Sequence, residues 1–248
     1  ITIYAGPCSV ESEEQFFEVA ECISDLGLTW IRGGAYKPRT NPHSFQGLGE
    51  EALKIMKAGG EKYGLKTLTE VMDSEHCELV HSYVDGLQVG ARNFQNFSLL
   101  KKIGQVTATS HKMVLYKRGF AGTIAEWLAA TDYLTAEGNE NVVLCERGIR
   151  TFETATRFTL DIAAVPVIHK QSLYPVCIDV SHPAGQRDLV PSLAKAAIAA
   201  GADSLMIEVH PNPPVALSDG PQQLTPAQFR ELIAELRELA ACLGKKIV

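Results

Sequence analysis

Gly27-Leu28-Thr29-Trp30-Ile31-Arg32-Gly33-Gly34-Ala35-Tyr36-Lys37-Pro38-Arg39-Thr40 contains the unit from which the rest of the chain is read. Gly27 follows a helical pattern (Phe16, Val19, Ala20, Ile23, Leu26), where a left-handed cap is cheap only for glycine. Leu28, Trp30 and Ile31 then form an apolar run short enough for a buried strand, and Arg32 opens a loop with three permanent cations. Helix, glycine, short strand and polar loop recur along the chain. Further strand candidates lie at 3–5, 66–69, 87–89, 113–116, 142–145, 176–180 and 205–209. Gly64, Gly104, Gly138 and Gly201 stand where Gly27 does, and Ser12/Gln15 and Thr225/Gln228 have the spacing of capping boxes for the first and last helices. Eight strands too apolar to be half exposed, each followed by a helix, predict a parallel sheet covered by helices. A doubly wound nucleotide-binding sheet lacks support because G-x-G-x-x-G is absent. The expected architecture is a (β/α)8 barrel, one catalytic domain over residues 1–248 with no appended regulatory domain.

Composition narrows the function. The chain has 248 residues, 46% hydrophobic and 21% charged, as expected of a soluble domain with a large core. A net charge of −6 argues against a general nucleic-acid binder. No apolar run is long enough to span a membrane, no leader is visible, and six cysteines without paired spacing suggest free thiols in a cytoplasmic protein.

In such a barrel, chemistry collects at the C-terminal ends of the strands. There the sequence places Cys8, Arg32, Glu70, Arg92, Lys117, Glu146 with Arg147, Asp179 with His182, and Glu208, with Asp219 in the following loop. Any one of these is unremarkable as a solvated loop residue; a polar group at every strand end is not. Arg32, Lys37, Arg39, Arg92, Lys117 and Arg147 could hold substrates carrying roughly four negative charges, hence phosphates and a carboxylate. Cys8, His182, Glu208 and Asp219 offer a thiolate, an imidazole and two carboxylates, donors suited to a divalent metal such as Mn, Fe, Co or Zn. Strands one, seven and eight are neighbours around a closed ring, which would bring these four together.

With these motifs in place, the chain resembles the 3-deoxy-D-arabino-heptulosonate 7-phosphate (DAHP) synthases, in their short type I-beta branch. The resemblance is carried by Ala5-Gly6-Pro7-Cys8-Ser9, Lys37-Pro38-Arg39-Thr40, Gly90-Ala91-Arg92-Asn93, Lys117-Arg118-Gly119, Cys145-Glu146-Arg147-Gly148, Ser181-His182 and Ser218-Asp219-Gly220-Pro221-Gln222. It implies condensation of phosphoenolpyruvate with erythrose 4-phosphate, the first step of the shikimate pathway. It also implies a metal on Cys8, His182, Glu208 and Asp219. By the same resemblance Arg92, Lys117 and Arg147 hold the phosphoenolpyruvate phosphate, with Ala91 beside them and Arg32 and Lys117 near the carboxylate. Lys37 meets the aldehyde oxygen, and Arg39 with Thr40 binds the sugar phosphate. Lys37, Cys8 and His182 are the expected catalytic residues, with Glu70 a weaker candidate proton donor. The family is commonly dimeric or tetrameric, so a homodimer or homotetramer is expected, with a separate chorismate mutase as a candidate partner.

Three positions depart from the family pattern: Pro183-Ala184 after the histidine, Phe94 in place of methionine, and a longer segment over 104–113. The nearest rival is 3-deoxy-D-manno-octulosonate 8-phosphate synthase, which takes arabinose 5-phosphate and carries Lys-Ala-Asn-Arg where this chain has Lys37-Pro38-Arg39-Thr40. A catalytically silent barrel is the rival of another class, and it predicts lost ligands.

Overall fold

A computed structural model of the chain describes residues 1–39 and 41–248; Thr40, expected at the sugar phosphate, lies outside the described residues. The strands are β1 (Thr2–Gly6), β2 (Trp30–Arg32), β3 (Lys66–Val71), β4 (Gly86–Val89), β5 (Met113–Lys117), β6 (Val142–Glu146), β7 (Val176–Asp179) and β8 (Ser204–Glu208). Each pairs in parallel with the next, and β8 returns to β1 to close the barrel. All eight expected strands are present, displaced by at most two residues at an end. Outside them run α1 (Glu13–Asp25), α2 (Glu50–Tyr63), α3 (Cys77–Tyr83), α4 (Phe97–Thr107), α5 (Ile124–Thr135), α6 (Ala164–Gln171), the single turn α7 (Ser181–Ala184), α8 (Val190–Ala199) and α9 (Pro226–Cys242). No helix among the described residues is long and apolar enough to cross a membrane.

The period of two along a strand builds the site. Tyr4, Leu68, Met113, Leu115, Val143, Cys145, Cys177 and Met206 fill the barrel interior, with Trp30 packed against them. Continuing the same alternation toward the C-terminal end puts Arg32 above Trp30, Lys117 above Leu115 and Arg147 above Cys145. Asp179 follows Cys177 in the same way, and Glu208 follows Met206. All five are buried, where single strand-end charges would ordinarily be solvated loop residues. Burial is tolerable because Arg32 is paired with Glu208 and Lys117 with Asp179.

Two local expectations need correction. Thr225 and Gln228 form a full capping box, but Ser12 does only half the job. Its hydroxyl accepts from Gln15 N, while the Gln15 side chain accepts from Glu11 N instead of Ser12 N and donates to Ser9 O. Gly104 is not a helix cap. It lies inside α4 because α5 passes close: a Cβ there would sit 2.6 Å from Leu134 O and 2.9 Å from Glu137 Cβ. Gly104→Ala should force these helices apart at a cost of about 1–3 kcal/mol. In a chain of this size that is a melting temperature lower by about 2–10 °C, measurable by thermal denaturation. An unchanged melting temperature would mean that the contact yields freely.

Candidate active site

The register of β1 against β8 runs from Thr2↔Ser204 to Gly6↔Glu208, which sets the loop after Gly6 beside Glu208. Gly6 has φ 146°, and a Cβ on it would lie 2.0 Å from Arg32 O, so only glycine lets β1 turn here so close to β2. The turn delivers Cys8. His182 comes from the one-turn helix after β7, and Asp219 from a loop where it adopts the left-handed conformation (φ 48°), unusual for a residue with a side chain. One donor atom from each of Cys8, His182, Glu208 and Asp219 lies within 4.8 Å of the others. Cys8 Sγ is 3.5 Å from Asp219 Oδ2, and His182 Nε2 is 3.5 Å from Glu208 Oε1 and 3.7 Å from Asp219 Oδ2. Donors bonded at 2.0–2.3 Å to one metal ion stand about 3.3–3.8 Å apart in a tetrahedron, so these separations fit a shared divalent ion. The four positions, distant in sequence, converge on one cluster of donor atoms that could hold a metal ion.

Each of the four donors is held by a neighbour. Lys37 Nζ lies 3.0 Å from both Cys8 Sγ and Cys8 O. Arg32 Nη1 donates to Pro7 O (2.7 Å), Cys8 O (3.3 Å) and Glu208 Oε1 (3.2 Å). His182 Nδ1 is 2.7 Å from Asp179 Oδ2, the same oxygen that takes a 2.7 Å bond from Lys117 Nζ. Gln222 donates to Glu208 Oε2 at 2.6 Å, and Arg157 pairs with Asp219 Oδ1 at 3.2 Å. Supporting contacts of this kind fix ligand orientation in metal sites.

Beside the cluster opens a cavity of about 310 Å³. Lys37, Arg39, Arg92, Lys117, Arg147 and Arg157 line it, together with Glu70, Ala91, Phe120, His182 and Asp219. Arg147 stands 4.1 Å from the Phe158 ring centroid and 4.9 Å from that of Phe120, and these two rings stack on each other at 5.2 Å. Its Nη1 is buried and has no partner among the described residues. An unsatisfied buried donor on the wall of a cationic cavity calls for an anionic acceptor. Arg32 does not line this cavity; it sits beneath, on Glu208. Glu70 accepts from Gln88 Nε2 at 3.1 Å.

Burial and neighbouring charges set the protonation of the donor cluster. Burial pushes the Cys8 thiol up to about 12, helped by Glu208 and Asp219 and opposed by Lys37 and Arg32. Burial also lowers the His182 imidazole against the pull of Asp179 and Glu208, which leaves it neutral and able to ligate at pH 7. For Asp219, burial works upward but is outweighed by His182, Arg157 and Lys37, so its carboxyl is held well below the usual range.

Several supports escaped the sequence reading. Outside the ring, Arg118 Nη1 joins Glu146 Oε2 (3.0 Å) to Asp161 Oδ2 (2.7 Å), and Glu146 Oε1 accepts from Gly148 N (2.7 Å). This braces the ends of β5 and β6, whose inward neighbours are Lys117 and Arg147. Arg157, Phe158, Phe120 and Gln222 received no role either. The departures are accommodated: Phe94 stacks on Tyr116 (5.9 Å) over Gly119 and Gly122, and Pro183 accepts from Phe158 N at 3.1 Å.

Comparison with known proteins agrees with the geometry. The DAHP synthetase I family matches residues 1–243. The chain belongs to this family. A phospho-2-dehydro-3-deoxyheptonate aldolase of Thermotoga maritima is 52% identical over 246 residues, covering 99% of this chain and 72% of the relative. A crystal structure of the Thermotoga maritima DAHP synthase superposes with a TM-score of 0.95 at 50% identity, covering all of this chain and 71% of that one. A 2-dehydro-3-deoxyphosphooctonate aldolase of Caulobacter vibrioides is more distant, 33% identical over 95% of this chain and 86% of the relative. Membership of the DAHP synthetase I family accords with the (β/α)8 architecture and the order of motifs read from the sequence.

Proposed function

We propose that this chain is a DAHP synthase, joining phosphoenolpyruvate, erythrose 4-phosphate and water to give DAHP and inorganic phosphate. The observation that carries the reading is the juxtaposition of a four-donor metal cluster with a cavity walled by six cations, one with an unsatisfied buried N–H. Arg92, Lys117 and Arg147 would hold the phosphoenolpyruvate phosphate, with Ala91 beside them and Arg32 below the carboxylate. Asp179 and the Phe120–Phe158 pair hold two of these cations in place before substrate arrives, so little ordering is left for the binding step. Arg39 and Thr40 would take the sugar phosphate. Lys37, tethered at Cys8, would stand at the aldehyde. As carbon 3 of phosphoenolpyruvate bonds to the aldehyde carbon, Lys37 protonates the developing alkoxide. Water then adds at carbon 2, and the C–O bond to phosphate breaks. A divalent ion on Cys8, His182, Glu208 and Asp219 (Mn, Fe, Co or Zn) would supply Lewis acidity toward the carbonyl oxygen. The same reading carries a cytoplasmic homodimer or homotetramer, with a separate chorismate mutase as candidate partner.

The test is phosphate release from phosphoenolpyruvate with erythrose 4-phosphate or arabinose 5-phosphate, each with and without a chelator. Release with the four-carbon sugar alone, abolished by chelator and restored by metal, is expected. The five-carbon sugar working instead would assign the octulosonate reaction of the more distant relatives, and release that ignores the chelator would remove the metal from the scheme.

A further inference from the structure

The loop from Gly148 to Ala163 carries two adjacent residues that contact different halves of the site. Arg157 stands on the cavity wall, yet its Nη1 is committed to the metal cluster: it lies 3.2 Å from Asp219 Oδ1 and donates to Gln222 Oε1 at 2.9 Å. Gln222, itself buried, passes the connection to Glu208 Oε2 at 2.6 Å. One guanidinium therefore secures two of the four donors. Phe158 lays its ring on Arg147, 4.1 Å from the guanidinium carbon, and the Arg157 guanidinium stands farther off, 5.8 Å from the same ring. The pair is pinned at its base. Phe158 N donates to Pro183 O beside His182, and the missing Cβ of Gly185 leaves room for Arg157 Cβ, which a methyl there would approach to 2.8 Å.

We propose that the dipeptide Arg157-Phe158 couples the two halves of the site, Arg157 as positioning residue for the metal donors Asp219 and Glu208, and Phe158 as positioning residue for the anion-binding Arg147. Asp219 needs such help. Its left-handed backbone is uphill for an aspartate, so the direction of the carboxylate is not secured by the chain alone. Arg157 takes Oδ1 and leaves Oδ2 turned toward Cys8 and His182. Lysine would keep the charge on a shorter, flexible stem without the rigid guanidinium that places Nη1 between its two acceptors. Phe158 in turn holds Arg147 by a face contact that consumes none of its N–H groups, and Nη1, without a partner among the described residues, stays available to an anion. The backbone that carries both side chains is held by Phe158 N on Pro183 O and, one residue on, by the paired bonds between Thr159 and Ile149, so the two residues share one support.

The inference rests on reading Cys8, His182, Glu208 and Asp219 as metal ligands, and the test separates the two. Metal-free wild type, Arg157→Met, Arg157→Lys and Phe158→Ala are titrated with Mn²⁺ or Zn²⁺ against a chromophoric chelator, without substrate. The Michaelis constant for phosphoenolpyruvate is then measured at saturating metal, with thermal melting as the check on folding. Arg157→Met is expected to bind metal about 10–100-fold more weakly, Arg157→Lys to lie between it and wild type, and both to melt as wild type does. Phe158→Ala is expected to raise the Michaelis constant by roughly three- to thirtyfold while changing metal affinity less than Arg157→Met does. Wild type that binds no metal would overturn the ligand reading itself. Wild type that binds metal while Arg157→Met binds it within twofold as well would overturn this inference alone, as would a Phe158→Ala Michaelis constant equal to wild type's.

Discussion

Cys8→Ser is expected to cut phosphate release from phosphoenolpyruvate and erythrose 4-phosphate on the order of a thousandfold, with the barrel still folded. Loss of a contact that merely supports a metal ligand costs about 10–100-fold, and loss of a directly bound thiolate should cost more. Serine is nearly isosteric with cysteine in this fully buried position, so packing is not what the substitution removes. Metal binding should be pH-dependent in the wild type. Burial keeps the thiol protonated to about 12, and a ligand must first lose its proton. Between pH 7 and 9 apparent affinity should therefore rise by about tenfold per pH unit, and Cys8→Ser should flatten that slope. Unaltered turnover in Cys8→Ser would reduce Cys8 to a buried thiol with no part in the reaction. The metal titration and melting temperature, measured on the same sample, separate that outcome from misfolding.

Asp179→Asn carries the second large effect, and it should appear first in stability. Asp179 is fully buried and accepts from Lys117 Nζ, Ser181 N and His182 N, with His182 Nδ1 at 2.7 Å. Removing its charge strands the Lys117 ammonium, which is only 4% exposed, inside the barrel mouth. Breaking a buried pair in this way costs about 3–5 kcal/mol, a melting temperature lower by ~10 °C at pH 7 in a chain of this length. The sign with pH follows from Asp179 itself. Burial pushes its carboxyl upward, but His182 and Lys117 outweigh that and hold it well below the ordinary range. Its contribution is complete at neutral pH, where the unfolded chain is ionised too, and erodes as pH falls below about 4. The gap between wild type and Asp179→Asn should close in that range. A gap independent of pH would show that the lost contact is not ionic.

Much of this was legible in the sequence. Short β-rich runs of three to five residues, each followed within a few positions by a polar or ionisable group, are enough to locate eight strands and to say which end faces the substrate. Cys8, His182, Glu208 and Asp219 could be gathered on paper because closure makes β1, β7 and β8 neighbours. What could not be read is held by contacts between loops. Asp179 stood in the right place but gave no sign that it serves Lys117 and His182 together. Arg157 and Phe158 sit in a stretch without periodicity, and the only available signal was another arginine downstream of a strand end. Gly104 looked like its capping neighbours because spacing cannot distinguish a turn from a close helix crossing.

The cationic cavity has a consequence at long range. Six cations face one opening, against Glu70 and Asp219 on the same wall, in a chain whose formal charge is −6, so the rest of the molecule carries an excess of acid. Field lines converge on the mouth through low-dielectric walls, drawing small polyanions toward it from solution. Large polyanions meet the acidic exterior first. Selection among phosphorylated molecules thus begins by diffusion in that field, before any hydrogen bond is made.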